Sequence, residues 1–349
     1  MLNFCTLFDA NYLSRGLVTY QSLMTATHNT AHLYVFAFDD ACYEALSTMK
    51  LPNLTVISLA EFEDEALLAI KPTRSRGEYC WTCTSSTILY CLDKLKLDNC
   101  TYIDADMYFY TNPQVLIDEK PDAADVIITE HRYTPQYDKS KLSGIYCVQF
   151  MYFKNTDAGR LVLNWWRTRC LEWCYNRHED GKFGDQKYLD DWTTRFGDTV
   201  HVCRHLGAGL APWNIQQFEL AISEEDIHCD VKENYKKLIF NDIWIQQAGK
   251  SDFNPVFFHF HGVKLYDNGA AIYAPRMYIL NKTVRHIFYD TYLQKLQLAQ
   301  EELVSFEPSL DKKGLLTSRD YSEDRKKGWG AFIKTNVFNR LFKSAATIG

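Results

Sequence analysis

The sequence has no long apolar run, no long basic run and none of three common active-site motifs. No apolar stretch is long enough to span a bilayer. The formal net charge of −6 argues against a nucleic-acid partner. G-x-G-x-x-G, G-x-x-x-x-G-K-[ST] and G-x-S-x-G are all absent. These absences argue against a dinucleotide-binding dehydrogenase, a P-loop enzyme and an α/β-hydrolase.

The first residues and the cysteines together predict a cytoplasmic location. Met1 to Phe4 leads directly into a strand-like run without a basic segment, so we expect no signal peptide. The 11 cysteines are an odd number and are scattered, so we expect reduced thiols. The chain of 349 residues is 46% hydrophobic and 15% aromatic, which is enough for one large domain with an extension. Many aromatic rings also suit a sugar-binding cleft.

Strand-like and helix-like segments alternate along the first half of the chain. This pattern predicts an α/β fold whose mostly parallel sheet is covered by helices on both faces. The predicted strands are Phe4–Phe8, Leu33–Phe38, Leu54–Leu59, Cys100–Asp104, Val126–Thr129 and Ile145–Phe153, and the predicted helices are Val18–Met24, Cys80–Lys96 and Asp157–Tyr175.

Two carboxylates, Asp104 and Asp106, end the run that begins at Tyr102. Ligands of such sheets bind outside the carboxyl ends of the strands, where this pair is placed. Mg²⁺ and Mn²⁺ prefer oxygen ligands and bind through carboxylates and substrate phosphates. The pair therefore indicates a metal that holds a diphosphate, with a helix or turn cap as the alternative role.

The pattern changes after about residue 266, which predicts a catalytic domain over 1–265 and a mainly helical extension over 266–349. Thr283–Val304 has continuous helical spacing, and Pro308–Gly328 is polar and charged, which predicts a loop. Ala331–Ala345 has the spacing of a basic amphipathic helix. Such a helix can lie in an anionic membrane interface, so we consider peripheral contact with the inner membrane through about residues 326–345. Its alternative role is to pack on the catalytic domain.

Several segments resemble glycosyltransferase family 8 and its relatives, which have the GT-A nucleotide-sugar transferase fold. Any one of these matches is weak, but together they follow the family's order over about residues 4–264. They are Thr6-Leu7 with Gly16 and Ser22-Leu23, Tyr102–Asp106 (Y-L-D-x-D), Cys147–Asn155, Gly184–Leu189 (D-Q-x-x-L), Pro212–Asn214, and His259–Lys264 (H-x-x-G-x-x-K, one residue shorter).

The resemblance implies that Asp104, Asp106 and His259 bind Mn²⁺ or Mg²⁺, which would bridge the diphosphate of a UDP-sugar. His261 lies two residues after His259, so on a strand both would face the same side and both could reach the metal. A buried, hydrogen-bonded histidine without a ligand role is the alternative for each.

The resemblance also implies sites for the donor sugar and its nucleotide. Asp185 and Gln186 would lie beside the anomeric carbon; Asp185 as a helix cap is the alternative. The family retains anomeric configuration. A glutamine is a poor nucleophile, so we favour attack by the acceptor on the same face. Phe8, Asp9 and Tyr12 would contact the uracil and ribose, and core packing is the alternative for Phe8.

In the late motif, Gly262 and Lys264 would contact the donor, with Lys264 neutralising phosphate. A solvated surface lysine is the alternative.

Two departures from the family affect the donor site. Thr87 occupies the approximate position of an arginine that reaches the phosphates, and Arg74 or Arg76 could replace it. Cys147 and Gln149 stand where asparagine and glycine are usual, which leaves the sugar open.

These observations predict a GT-A glycosyltransferase that moves a hexose or N-acetylhexosamine from UDP to a glycan or glycolipid. A sugar-1-phosphate nucleotidyltransferase is the alternative enzyme, although the glycine-rich loop it needs is absent after the first strand. A non-catalytic sugar-binding protein on the same fold is the third reading.

Overall fold

The computed structural model describes residues 2–223, 226–235, 251–310 and 312–324. The strands are β1 (Leu2–Phe8), β2 (Ala31–Ala37), β3 (Leu54–Ser58), β4 (Asn99–Ile103), β5 (Met107–Phe109), β6 (Val126–Glu130), β7 (Tyr146–Lys154), β8 (Val200–Val202), β9 (Phe218–Ser223), β10 (Asp226–Val231), β11 (Asp252–Phe253), β12 (Phe257–His259), β13 (Lys264–Tyr266), β14 (Ala271–Ile272) and β15 (Leu315–Leu316). The α-helices are α1 (Leu13–Ala26), α2 (Asp40–Met49), α3 (Leu59–Phe62), α4 (Glu65–Ile70), α5 (Arg76–Asp93), α6 (Gln114–Asp118), α7 (Ser140–Ser143), α8 (Asp157–Glu172), α9 (Trp192–Arg195), α10 (Lys282–Val284) and α11 (Thr291–Phe306).

The central sheet contains seven strands in the order β3-β2-β1-β4-β7-β6-β8. Strand β7 runs antiparallel to β4 and β6, and the other neighbouring pairs are parallel. The predicted fold class, a mostly parallel sheet with helices on both faces, is confirmed.

Alternate residues of β1 show how the sheet is covered on both faces. Phe4 and Phe8 belong to the hydrophobic cluster that contains α1 and α11 residues. Cys5 and Leu7 point to the opposite face and belong to the cluster formed with α5 and α8. Because side chains alternate along a strand, a strand buried on both faces is apolar at nearly every position. This explains why β1 is mostly apolar, with Thr6 as a buried polar exception.

The predicted strands and helices of the first half are confirmed, with shifted ends. The helix predicted from Cys80 begins earlier, at Arg76, because Ser75 and Glu78 form a reciprocal capping box. The strand carrying the carboxylate pair ends at Ile103, so Asp104 is the first residue after it.

The C-terminal region differs in detail from the sequence prediction. The predicted long helix is present as α10, a π-helical stretch over Arg285–Asp290, and α11. Its buried residues belong to the cluster that contains Phe4 and Phe8 of β1. The predicted loop after Pro308 contains strand β15 and a helical turn over residues 318–324, so its loop assignment is wrong over those residues. The proposed membrane segment, about 326–345, lies outside the described residues, and the domain boundary at residue 265 stays a prediction.

Candidate active site

A cavity of about 730 Å³ opens at the carboxyl ends of β1 and β4. This is the edge at which ligands of open α/β sheets bind. The predicted site residues that line it are Phe8, Asp9, Tyr12, Arg76, Asp104, Asp106, Asp185, Gln186 and His259. Residues separated by up to 251 positions in the chain therefore meet in one cavity.

Asp104, Asp106 and His259 form a group that could hold a metal ion, with ligand atoms all within 4.8 Å of one another. Strand β12 pairs antiparallel with β5, and this pairing sets His259 opposite Met107. The Phe260 amide also donates to the Asp106 carbonyl at 2.8 Å. Backbone pairing thus brings the histidine to the carboxylate pair.

The His259 ring is oriented by Gln149, a residue of β7. Its Nδ1 lies 2.9 Å from Gln149 Oε1, and because a carbonyl oxygen can only accept, Nδ1 carries the proton. Nε2 then faces the carboxylates, 3.1 Å from Asp106 and 3.7 Å from Asp104. Because Nδ1 is fixed as the donor to Gln149, Nε2 is left unprotonated and available as a metal ligand.

The charges of this group perturb one another strongly. Burial opposes charge on His259, but the Asp106 and Asp104 carboxylates raise its pKa well above the usual value. Burial likewise disfavours ionisation of Asp106, but His259 lowers the pKa of that carboxyl to about 2. Burial raises the pKa of Asp104. Two carboxylates and one imidazole are a donor set that suits Mn²⁺ or Mg²⁺, so these residues fit the predicted ion.

Asp185 is buried in the cavity wall, and its side chain makes no capping bond to the 3₁₀-helix Gln186–Asp191. Burial, and then the charge of Asp104, raise the pKa of Asp185 to about 7. The Trp166 indole donates to the Asp185 carbonyl at 3.0 Å and holds the backbone. The Gln186 carboxamide donates to the Ser143 carbonyl. Asp185 therefore lines the cavity and is an unusually weak acid for an aspartate.

The three N-terminal candidates all line the cavity, although they differ in exposure. Phe8 is 4% exposed and packs in the core, and it also lines the cavity, so its contact with the uracil stays a prediction. Its ring lies over Gly16, where a Cβ would be 2.3 Å from the ring. Tyr12 is 41% exposed. The charge of Asp106, followed by burial, raises the pKa of Tyr12 to about 12.

Arg76 lines the cavity, whereas Arg74 does not. Arg76 forms ion pairs with Asp9 at 2.7 Å and with Asp39 at 2.8 Å. Arg74 lies instead over the Tyr175 ring, 4.0 Å from its centroid. Thr87 is fully buried and donates to the Thr84 carbonyl.

Lys264 and Gly262 do not line the cavity. The Lys264 ammonium lies 2.9 Å from an Asp324 carboxylate oxygen. Gly262 has φ +76°, and a Cβ there would be 2.6 Å from Pro275 Cδ, so this turn requires glycine. Lys264 and Gly262, which the sequence predicted to contact the donor, therefore lie outside the cavity that contains Asp104, Asp106 and His259.

His261 lines the cavity but is not part of the metal-capable group among the described residues. The Trp213 ring lies 5.4 Å from the His259 ring and 5.6 Å from the His261 ring. Burial, followed by the charge of His259, lowers the pKa of His261 to about 4.

Several cavity residues were not predicted from the sequence as site residues. They are Cys80, Trp81, Thr84, Tyr102, His131, Tyr133, Lys139, Ser143, Cys147, Phe183, Trp213 and Tyr278, among others. Most of them lie on loops or helix ends far from the recognised motifs. Tyr102, Cys147 and Trp213 were within recognised segments, and those segments were the available signal.

A second potential metal group lies outside this cavity. Cys5, Cys91 and Cys100 are fully buried, and their sulfur atoms lie within 4.8 Å of one another. They join β1, β4 and α5 in the core.

The chain is similar in sequence to two proteins of Bacillus subtilis. It is 30% identical to the uncharacterized protein YfnF of Bacillus subtilis strain 168 over 244 residues, which is 68% of this chain and 79% of YfnF. The chain belongs to the YfnF family. It is also 30% identical to the uncharacterized protein YfnD of the same strain over 208 residues, 57% of this chain and 65% of YfnD. No protein-family model matches the chain.

A solved structure identifies the fold. The galactosyltransferase LgtC, crystallised with donor and acceptor sugar analogues, superposes with a TM-score of 0.51 at 13% identity, over 85% of this chain and 96% of LgtC. The chain has the GT-A glycosyltransferase fold. Within the described part of the chain, we find no helix with the length and apolarity needed to cross a bilayer.

Proposed function

We propose that this protein is a metal-dependent glycosyltransferase. It moves a hexose or N-acetylhexosamine from a UDP-sugar to a glycan or glycolipid acceptor, with retention of configuration. The observation that carries the proposal is the group of Asp104, Asp106 and His259 within one large cavity that also contains Asp185. The GT-A fold supports it.

In this proposal Asp104, Asp106 and His259 hold Mn²⁺ or Mg²⁺. The ion supplies positive charge that neutralises the diphosphate of the donor and of the departing UDP. Gln149 keeps the His259 imidazole in the tautomer that exposes Nε2. Tyr102 donates to Asp104 at 3.1 Å and fixes that carboxylate.

Phe8 and Tyr12 offer rings to the uracil, and Asp9 offers a carboxylate to the ribose hydroxyls. Arg76 is held by Asp9 and Asp39, so it orients Asp9 and balances carboxylate charge at the nucleotide end. Lys264 would have to leave Asp324 to reach a phosphate.

In this proposal Asp185 and Gln186, which both line the cavity, contact the transferred sugar. A carboxamide is a poor nucleophile, and the Gln186 amide group is already engaged by Ser143. Given the retention that the family resemblance implies, the acceptor hydroxyl attacks on the face from which UDP departs, the bond from the sugar to UDP breaks, and the leaving phosphate takes the hydroxyl proton. Asp185 accepts hydrogen bonds from sugar hydroxyls.

The test is a donor-hydrolysis screen with purified protein, Mn²⁺ and a panel of nucleotide sugars. We expect release of UDP from a UDP-hexose or UDP-N-acetylhexosamine, and loss of the activity in excess chelator. Asp106→Ala should fall below about 1% of wild-type turnover, because the diphosphate loses its counter-charge. Asp198→Ala, which removes an exposed carboxylate elsewhere, is the matched control and should keep full activity.

The products distinguish the alternatives. Release of pyrophosphate from UTP and a sugar 1-phosphate would identify a nucleotidyltransferase instead. Nucleotide-sugar binding with no turnover of any donor would identify a sugar-binding protein. Turnover that persists in excess chelator would refute the role of the metal.

A further inference from the structure

The cavity has two chemically different halves. Among the described residues, the carboxylates that line it are Asp9, Asp104, Asp106 and Asp185, and the proposed function assigns all four to the part that takes the donor. The other part, which we call the aromatic half, is lined by His131, Tyr133, Lys139, Trp213, His261 and Tyr278.

The aromatic half is one continuous surface that begins at the metal group. Trp213 is in edge contact with His259 on one side, at 5.4 Å, and with His131 on the other, at 5.3 Å. His131 stacks on Tyr133 with ring centroids 4.6 Å apart. Trp213, Tyr133 and Tyr278 belong to one hydrophobic cluster. Flat rings of this kind cover the apolar faces of sugars while leaving their hydroxyls free.

Lys139 is the ammonium group of this half, and it has no carboxylate partner among the described residues. Its Nζ lies 3.4 Å from Met277 Sδ and 5.9 Å from the Tyr278 ring centroid. Burial lowers the pKa of Lys139. The cavity's Arg76, by contrast, is already neutralised by two carboxylates. An ammonium held in a partly desolvated cavity without a counter-ion is a strong site for an anionic group.

The segment that carries Lys139 is hydrogen-bonded to the segment that the proposed function assigns to the donor sugar. Lys139 directly precedes α7, whose last residue, Ser143, accepts a hydrogen bond from Gln186. Lys187 also donates to the Ser140 carbonyl at 2.8 Å. The segment that carries Lys139 is thus tied to the segment that carries Asp185.

We propose that the aromatic half binds the acceptor and that this acceptor carries a negatively charged group, a phosphate or a carboxylate, that contacts the Lys139 ammonium. The inference rests on the proposed function, since it takes the metal half as the donor site. The rings favour binding of a sugar, and the Lys139 ammonium favours a sugar that carries a negative charge.

The test compares three small probes on protein saturated with UDP and Mn²⁺: glucose, glucuronic acid and glucose 6-phosphate. Their dissociation constants are measured by ligand-observed NMR titration. We expect at least one of the acids to bind about tenfold tighter than glucose, because a charge-assisted contact adds to the ring contacts. Which of the two binds tighter tells a carboxylate from a phosphate.

Variants then assign the preference to Lys139. In Lys139→Gln the acids and glucose should bind within about twofold of each other, whereas Lys139→Arg should keep a preference. Lys141→Gln is the matched control, because Lys141 is exposed and lies outside the cavity. The preference of the wild type should also weaken as salt is raised.

Equal binding of all three probes to the wild type would overturn the inference, as would an unchanged preference in Lys139→Gln. A loss of UDP affinity in Lys139→Gln without any acid preference would assign the lysine to the donor diphosphate and overturn it too. If the wild type does not bind UDP with Mn²⁺, the proposed function fails on that measurement. In that case, titration of the same three probes without nucleotide still tests whether Lys139 gives the preference for an acid.

Discussion

The strongest quantitative prediction concerns Asp185, whose role in activity should conflict with its effect on stability. Its pKa is raised from 3.8 to about 7, first by burial and then by the charge of Asp104. Between these two values the folded state binds a proton that the unfolded state has released. Stability from this group is therefore present at low pH and is lost as the pH rises through about 7.

The magnitude follows from the size of the shift. Over the full range the ionised carboxyl costs the fold about 4 kcal/mol, and most of this cost, about 3 kcal/mol, arises between pH 5 and pH 8. Asp185→Asn cannot ionise and is close in shape. The variant should therefore gain about 3 kcal/mol over the wild type between pH 5 and pH 8.

The assay is urea unfolding of both proteins at several pH values, in excess chelator so that no metal changes the local charge. Asp198→Asn is the control, because Asp198 is exposed. Turnover of the donor should fall far more in Asp185→Asn than UDP affinity does, since an interaction made mainly in the transition state is lost. A stability difference that does not vary with pH would refute the electrostatic argument. Equal losses of turnover and UDP affinity would refute the positioning role.

Three further predictions follow from other parts of the structure. Gln149→Leu should weaken Mn²⁺ binding by about 10- to 100-fold, measured by calorimetry, because His259 loses the partner that sets its tautomer; unchanged affinity would contradict this. If Lys264 serves the diphosphate, Lys264→Gln should weaken UDP binding while Asp324→Asn, which releases the lysine, should not; parallel effects of both would indicate a structural ion pair. A chain cut at Ser322 should lose co-sedimentation with anionic vesicles if about residues 326–345 form a membrane contact, and a full chain that ignores such vesicles at low salt would exclude it.

Local sequence was enough to predict the elements that build the edge of the sheet with the candidate site. Strands β1 and β4 are mostly buried on both faces, so most of their residues are apolar, and this composition predicts strands. The pair Asp104 and Asp106 could be placed at a strand end for the same reason, since the run stops where the carboxylates begin. Motif order then indicated the remaining members of the metal group.

Contacts between distant segments could not be derived in this way. Gln149 was noted only as a departure from the family pattern, yet it orients His259 from 110 positions away. Lys264 matched a phosphate-binding motif, but it pairs with Asp324, 60 positions further along. Each of these two contacts joins side chains from different elements, and the packing of the core sets the distance between those elements.

The sequence by itself determined the α/β architecture and the strand that delivers Asp104 and Asp106, because strand burial is a property of short segments. The family resemblance added His259 to the group that could hold a metal ion. Only the tertiary structure decided which partners these residues meet. In the folded protein, Lys139 lies in the aromatic half of the cavity, which lies next to the metal group. Asp185 is buried near the charge of Asp104. The physical reason is that desolvation and charge pairing depend on distances in space, which one chain segment does not fix.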